Sequence, residues 1–98
     1  MGATIKQQFS DNPQVQDIRL ATGSATAINF PDLPVLMVRF KAYIDNVGRF
    51  YLGETPNDMY WELSAGDDTG WVAIQNMNHL YYKDPSGTLD KMAYWIQR

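Results

Sequence analysis

The chain has 98 residues, a net charge of −3 at pH 7 and no cysteine, and 45% of its residues are hydrophobic. A chain of this length forms one small domain, and the lack of cysteine excludes disulfides and thiolate metal sites. The acidic balance argues against nucleic-acid binding, which normally uses a basic face. No apolar run approaches the roughly 20 residues of a membrane-spanning helix. We therefore expect neither nucleic acid nor membrane as a partner.

The first 16 residues are predicted to form a polar N-terminal arm, and residues 17–98 the folded domain. The apolar anchors of the arm are Ile5, Phe9 and Val15. Three spaced apolar side chains bury too little surface to offset the entropy lost on ordering. We expect this arm to be mobile in the isolated protein and to become ordered on assembly.

The remainder of the sequence predicts strands. Short runs of alternating apolar and polar residues are separated by Gly, Pro, Asn and Asp at intervals of roughly 8–12 residues, which is typical of an all-β sandwich. The predicted strands, in chain order, cover residues 16–22, 25–30, 35–42, 49–52, 59–63, 71–74, 80–83 and 89–97. The expected fold is a single small β-sandwich, jelly-roll-like, with about eight short antiparallel strands.

The clearest strand, residues 35–42, is expected to be central, with Leu36, Val38 and Phe40 in the core. The turn at residues 45–48 is expected to fold it back as a hairpin onto residues 49–52.

Later strands are given faces by the same alternation. Residues expected to point inward are Phe50, Leu52, Trp61 and Leu63, and Met92, Tyr94 and Ile96 are expected to share one face of the last strand.

Four adjacent aromatic pairs supply the main functional signal. They are Phe50-Tyr51, Tyr60-Trp61, Tyr81-Tyr82 and Tyr94-Trp95. Because successive strand residues point to opposite faces, each pair sends one ring outward. Soluble monomers seldom leave large apolar patches uncovered, and Tyr and Trp are enriched at protein interfaces. We therefore predict an interface formed by Tyr51, Tyr60, Tyr81 and Trp95, while a carbohydrate stacked on such rings is the alternative occupant.

Catalytic and metal-binding patterns are weak. His79 is the only histidine, whereas catalytic zinc normally needs about three protein ligands. Asp67 and Asp68 could begin a calcium loop but also suit a tight turn, and Glu54 with Glu62 would be an unspecific glycosidase pair. We predict no enzyme activity, no catalytic residues, no cofactor and no metal.

Several segments of the chain resemble small β-sandwich virion structural proteins of tailed bacteriophages, the group that includes capsid decoration and head-fibre proteins. The segments are AINFP at 27–31, VRFKA at 38–42, NVG at 46–48, YLG at 51–53, LSAGD at 63–67 and NHLYY at 78–82. The resemblance covers roughly residues 18–97. The ending, with Tyr94 and Trp95, is more aromatic than is usual for the group.

This resemblance implies a non-enzymatic structural protein located in the virion. Such a protein would dock on the major capsid protein or other virion proteins, including tail proteins, to decorate or stabilise the particle. It also implies a homo-oligomer, with a trimer as one expected form. The alternative reading is a carbohydrate-binding, lectin-like β-sandwich module.

Overall fold

The computed structural model describes residues 16–86 and 89–98. The predicted arm lies outside these residues, except for Gln16, which begins the first strand. The strands are β1 (Gln16–Thr22), β2 (Ile28–Asn29), β3 (Met37–Ala42), β4 (Phe50–Gly53), β5 (Trp61–Leu63), β6 (Asp68–Ala73), β7 (Tyr81–Lys83) and β8 (Lys91–Gln97). A single turn of 3₁₀ helix, Met77–His79, precedes β7. Within the described ranges, no helix is long and apolar enough to cross a membrane.

The eight strands form two antiparallel sheets. The first sheet has the order β1-β8-β3-β6, and the second has the order β2-β7-β4-β5. Consecutive strands lie in different sheets, except for β4 and β5, which pair with each other. Eight antiparallel strands wound in this way form a jelly roll. The predicted small all-β sandwich is confirmed.

The predicted hairpin between residues 35–42 and 49–52 is wrong. Strand β3 pairs with β8 and β6, whereas β4 lies in the second sheet. The intervening loop is held by the start of β8: Asn46 exchanges two hydrogen bonds of 2.8 Å with the backbone of Lys91. These contacts fix the start of the loop to a strand of the first sheet that is 45 residues away in sequence, before the chain crosses to β4 in the second sheet.

The prediction that β3 is an interior strand is confirmed, and its core face is mostly correct. Val38, Phe40 and Ala42 are completely buried. The placement of Leu36 in the core is wrong, because its side chain is 55% exposed. A bend at Leu36 precedes the strand and interrupts the alternation, so that Val35 is buried instead.

The two sheets enclose a core centred on aromatic rings. Phe30 lies 5.6 Å from Phe40, 5.1 Å from Tyr94 and 4.7 Å from Tyr82, measured between ring centroids. Rings at these separations and tilted relative to one another are in favourable contact. Phe50 and Leu52, predicted to point inward, are fully buried, as are Met92 and Ile96 on β8.

Candidate functional site

The four rings predicted to form the interface lie at three separate places. Tyr51 and Tyr81 are half-buried on the outer face of the second sheet. They are diagonal neighbours, because Tyr51 is opposite Lys83 and Tyr81 is opposite Gly53.

Trp95 lies on the far side of the sandwich, on the outer face of the first sheet, and is half-buried. Tyr60 is exposed just before β5. One flat partner therefore cannot contact all four rings, and their role in an interface stays a prediction.

Strand β1 has an unusual distribution of side chains. Ile18 and Leu20 point outward and are 66% and 56% exposed, whereas Ala21 is buried. Their neighbours Asp17 and Arg19 share the inward face with Ala21, because side chains alternate along a strand. Asp17 forms ion pairs with Arg19 and with Arg98. The apolar side of this strand is therefore the side that faces away from the core.

An outward row of side chains crosses all four strands of the first sheet. Ile18 is opposite Trp95, Trp95 is opposite Arg39, and Arg39 is opposite Trp71. We call Ile18, Trp95, Arg39 and Trp71 the outer row. Directly opposite residues in antiparallel strands have contacting side chains, so the outer row forms a continuous aromatic and aliphatic surface with one guanidinium in it.

Arg39 is held rigidly in the outer row. Its Cζ lies 5.2 Å from the centroid of the Trp95 ring, a cation–π geometry. Its Nε donates to Asp68 Oδ1 at 3.0 Å, and Nη2 donates to Asp68 Oδ2. These hydrogen bonds, together with the Gly70 N–H, lower the pKa of Asp68 to about 2. The pair is solvent-exposed and contributes little stability, but it holds the guanidinium close to the indole of Trp95.

Further apolar side chains lie on both sides of the outer row along the strand direction. Leu20 and Ala93 flank it on one side, and Met37 and Ala73 flank it on the other. A depression of about 570 Å³ is lined by Ile18 and Trp95 together with Tyr43 and Ile44. The alternation in the sequence shows that Ile18 and Leu20 share a face. The usual inward placement of apolar residues would assign that face to the core, whereas it lies outside.

The two sheets end at β1 and β2 on one side of the sandwich and at β6 and β5 on the other. We call the β5–β6 side the open edge. Trp61 points toward the interior side, as predicted, since it shares the face of buried Leu63. Its predicted burial is wrong: Trp61 is 42% exposed. The first sheet ends at β6, so no strand of the described chain covers the indole. The result is a cleft beside Trp61, with Tyr60 at its rim.

Asp84 and Asp90 form a buried acidic pair that the sequence pattern did not indicate. Asp84 is completely buried and Asp90 is 3% exposed. Asp90 accepts hydrogen bonds from the backbone N–H groups of Val47 and Gly48, both at 2.8 Å. Asp84 Oδ1 accepts from the Ser86 N–H at 2.8 Å. The predicted turn at residues 84–87 is thus joined to the loop between β3 and β4.

This pair binds a proton more readily at Asp84 than at Asp90. Among the described residues no donor reaches Asp84 Oδ2, and two carboxyl groups can share a hydrogen bond only when one of them is protonated. Burial, and then the hydrogen bond with Asp90, raise the pKa of Asp84 to about 6. The hydrogen bond from Asp84, assisted by the N–H donors of Val47 and Gly48, lowers the pKa of Asp90.

The residues considered above for catalysis and metal binding are exposed or take part in other contacts. His79 is exposed at the end of the 3₁₀ helix. Asp67 accepts a hydrogen bond from the Ser64 N–H at 2.9 Å, and Asp68 is bound to Arg39, so both acids take part in structural contacts. Across residues 16–86 and 89–98, no group of three or more His, Asp or Glu side chains is arranged to hold a metal ion.

Comparison with known proteins found no relative of this chain. No family model, no curated protein and no solved structure matches the chain. Functional conclusions therefore depend on the geometry described above.

Proposed function

We propose that this protein is a non-enzymatic structural component of a phage particle. It acts in the virion, as a homo-oligomer or as repeated copies, by docking on capsid or tail proteins and stabilising or decorating them. The observation that supports this proposal most strongly is the outer row with its apolar flanks. A single β-sandwich gains nothing in its own core from outward Ile18 and Leu20, whereas a docking surface uses such residues directly.

The outer face of the first sheet supplies about half of the area of a standard docking interface. Four strands spaced about 4.8 Å apart, with about six residues each at about 3.3 Å per residue, give a face of roughly 400 Å². A standard interface buries about 800 Å² per partner. Contact must therefore extend past this face. Ile44 is exposed and lines the depression beside Ile18 and Trp95, so a partner can reach it as well. Jelly rolls occur in viral capsid and lectin domains, but the fold alone does not determine function.

The sharpest test in solution is self-association. We expect sedimentation velocity to show oligomers at tens of micromolar. Trp95→Ala, at the middle of the outer row, is expected to weaken association by about 2 kcal/mol, roughly 30-fold. Ile18→Lys is expected to act in the same direction, because it places a charge in the contact. Val47→Lys is the matched control, since Val47 is highly exposed in a loop outside the outer row.

The virion assignment needs particles. Electron microscopy of particles assembled with and without this protein is expected to show it as added density on the shell or tail, and the Trp95→Ala variant is expected to reduce that density. Failure of the protein to associate with particles would overturn the assignment. Equal association of Ile18→Lys and the native protein would instead show that docking uses another face, such as the one that carries Tyr51 and Tyr81.

A further inference from the structure

The open edge of the sandwich contains two adjoining clefts that the outer row does not touch. The first has a volume of about 360 Å³ and the second about 400 Å³. Tyr60, Trp61 and Val72 border both of them. We call this pair of connected spaces the open-edge cleft. It lies at the β5–β6 side of the molecule. None of the four outer-row residues lines it, although Ala73, which flanks the outer row, borders the first half.

The loop between β4 and β5 holds the aromatic rim of the open-edge cleft in place. Gly53 is required there, because a Cβ at this position would lie 1.8 Å from the backbone oxygen of Asp58. The loop is closed further by Thr55, whose Oγ1 accepts from the Asp58 N–H at 3.0 Å. Tyr60 and Trp61 follow directly after this compact loop. The two rings are thus presented by a fixed backbone and remain accessible.

Polar groups are placed in both halves of the open-edge cleft. Glu54 borders the first half, and Glu62 and Thr69 border the second. The Glu62 side chain points to the other face of β5 from Trp61 and Leu63, because it lies opposite Tyr51. Arg49 Nη1 donates to it there at 2.8 Å, so Glu54 is the carboxylate available to a ligand in the cleft. Among the described residues, those that line the two halves include no lysine and no arginine. Carboxylates accept hydrogen bonds from hydroxyl groups, and they repel anionic ligands.

The strand edges at this site are poorly suited to an added protein strand. Strand β5 has only three residues. Strand β6 contains a bulge, where the register with β3 shifts near Gly70, a residue with a φ of 70°. The Gly70 N–H is also occupied, since it donates to Asp68 Oδ1 at 2.8 Å. Bulges and short edges hinder edge-to-edge pairing.

From these contacts we propose that the open-edge cleft binds a neutral glycan of at least two sugar rings. The apolar faces of the sugars stack on Trp61 and Tyr60, and their hydroxyl groups donate to Glu54. Aromatic rings with a few oriented polar groups are the usual composition of a small-molecule site. This inference does not depend on the virion proposal, because it uses different residues and a different side of the protein.

The test is calorimetric titration of the full chain with maltohexaose, cellohexaose, mannohexaose and chitohexaose, with polygalacturonate as the anionic control. We expect at least one neutral oligosaccharide to bind with a dissociation constant in the millimolar range or below, and polygalacturonate not to bind. Trp61→Ala is expected to weaken binding by roughly tenfold or more, equivalent to about 1.4 kcal/mol. Trp71→Ala is the matched control, because Trp71 is similarly exposed, 37% against 42%, but lies in the outer row.

A second variant distinguishes loss of binding from loss of folding. Glu54 is exposed and makes no ion pair among the described residues, so Glu54→Gln is expected to leave the fold unchanged while weakening glycan binding several-fold. The proposal is overturned if no neutral oligosaccharide binds, if binding survives Trp61→Ala and is lost in Trp71→Ala, or if an apolar peptide occupies the cleft and no glycan does. None of these results would bear on self-association through the outer row.

Discussion

Replacing Asp84 with asparagine should stabilise this protein at neutral pH, although Asp84 is completely buried and hydrogen-bonded. The introduced amide can accept from the Ser86 N–H through its oxygen and donate to Asp90 through its nitrogen. It thus reproduces the hydrogen bonds of the protonated acid without an ionisable group. The native side chain, in contrast, must either hold its proton at neutral pH or become a second buried negative charge beside Asp90.

The magnitude follows from the pKa of Asp84. Burial raises it from 3.8 to about 6, and each pKa unit corresponds to about 1.4 kcal/mol. The folded state therefore binds this proton more tightly than the unfolded state by at most about 3 kcal/mol. This stabilisation is fully present below about pH 4 and is lost as the pH rises to about 6. We expect Asp84→Asn to be more stable than the native protein by about 1–3 kcal/mol at pH 7 and nearly equal to it at pH 4.

Urea denaturation of both proteins in steps from pH 4 to pH 8 measures this difference directly. Other acids titrate in the same range, but they do so in both proteins, so the difference in unfolding free energy isolates Asp84. Asp90→Asn is the matched control. It should destabilise at pH 7 by about 1.5–3 kcal/mol, because the amide cannot replace a carboxylate that accepts from both Val47 and Gly48. Loss of stability in Asp84→Asn at pH 7, with an unchanged pH profile, would refute a proton on Asp84.

Two further predictions concern packing and are measured by urea denaturation. Phe40→Ala should reduce the unfolding free energy by about 3–5 kcal/mol. Leu36→Ala should reduce it by less than about 1 kcal/mol, because Leu36 is largely exposed. Equal effects would mean that the buried face of β3 is misassigned. Gly48→Ala should destabilise by about 1–3 kcal/mol, because its Cβ would lie 1.7 Å from Ser86 Oγ. Adding Ser86→Gly should recover part of that loss, and simple additivity of the two changes would contradict the contact.

Alternation and turn chemistry were sufficient to predict the strands and most of their core faces. The first strand, residues 16–22, has the predicted bounds, and Phe50, Leu52, Met92 and Ile96 are buried as expected. Local sequence could not identify the partner of each strand. The pattern at residues 45–48 is equally suited to a hairpin and to a crossing between sheets. The crossing is seen only in the pairing of β3 with β8 and β6 rather than with β4.

The acidic pair shows a different limit of the sequence. Asp84 precedes Pro85 and Ser86 in a pattern typical of a type I turn, and such turns are normally solvated. The burial of Asp84 depends on the loop that contains Gly48, where any Cβ would also lie only 3.0 Å from Asp84 Oδ1. These two loops are far apart in the sequence, and only the tertiary fold brings them into contact. No local pattern therefore distinguishes this buried aspartate from an ordinary turn residue.

Strand β1 departs from the usual placement of apolar residues toward the core. A period of two places Ile18 with Leu20 and Asp17 with Arg19, but it does not say which pair faces the core. Because β1 is an edge strand, its inward positions lie at the margin of the sandwich, where Asp17 forms its ion pairs with Arg19 and Arg98. Inward charges on an edge also discourage pairing with another strand. The apolar pair is consequently left on the outer face beside Trp95, where a contact between faces of two proteins, rather than between strand edges, would bury it.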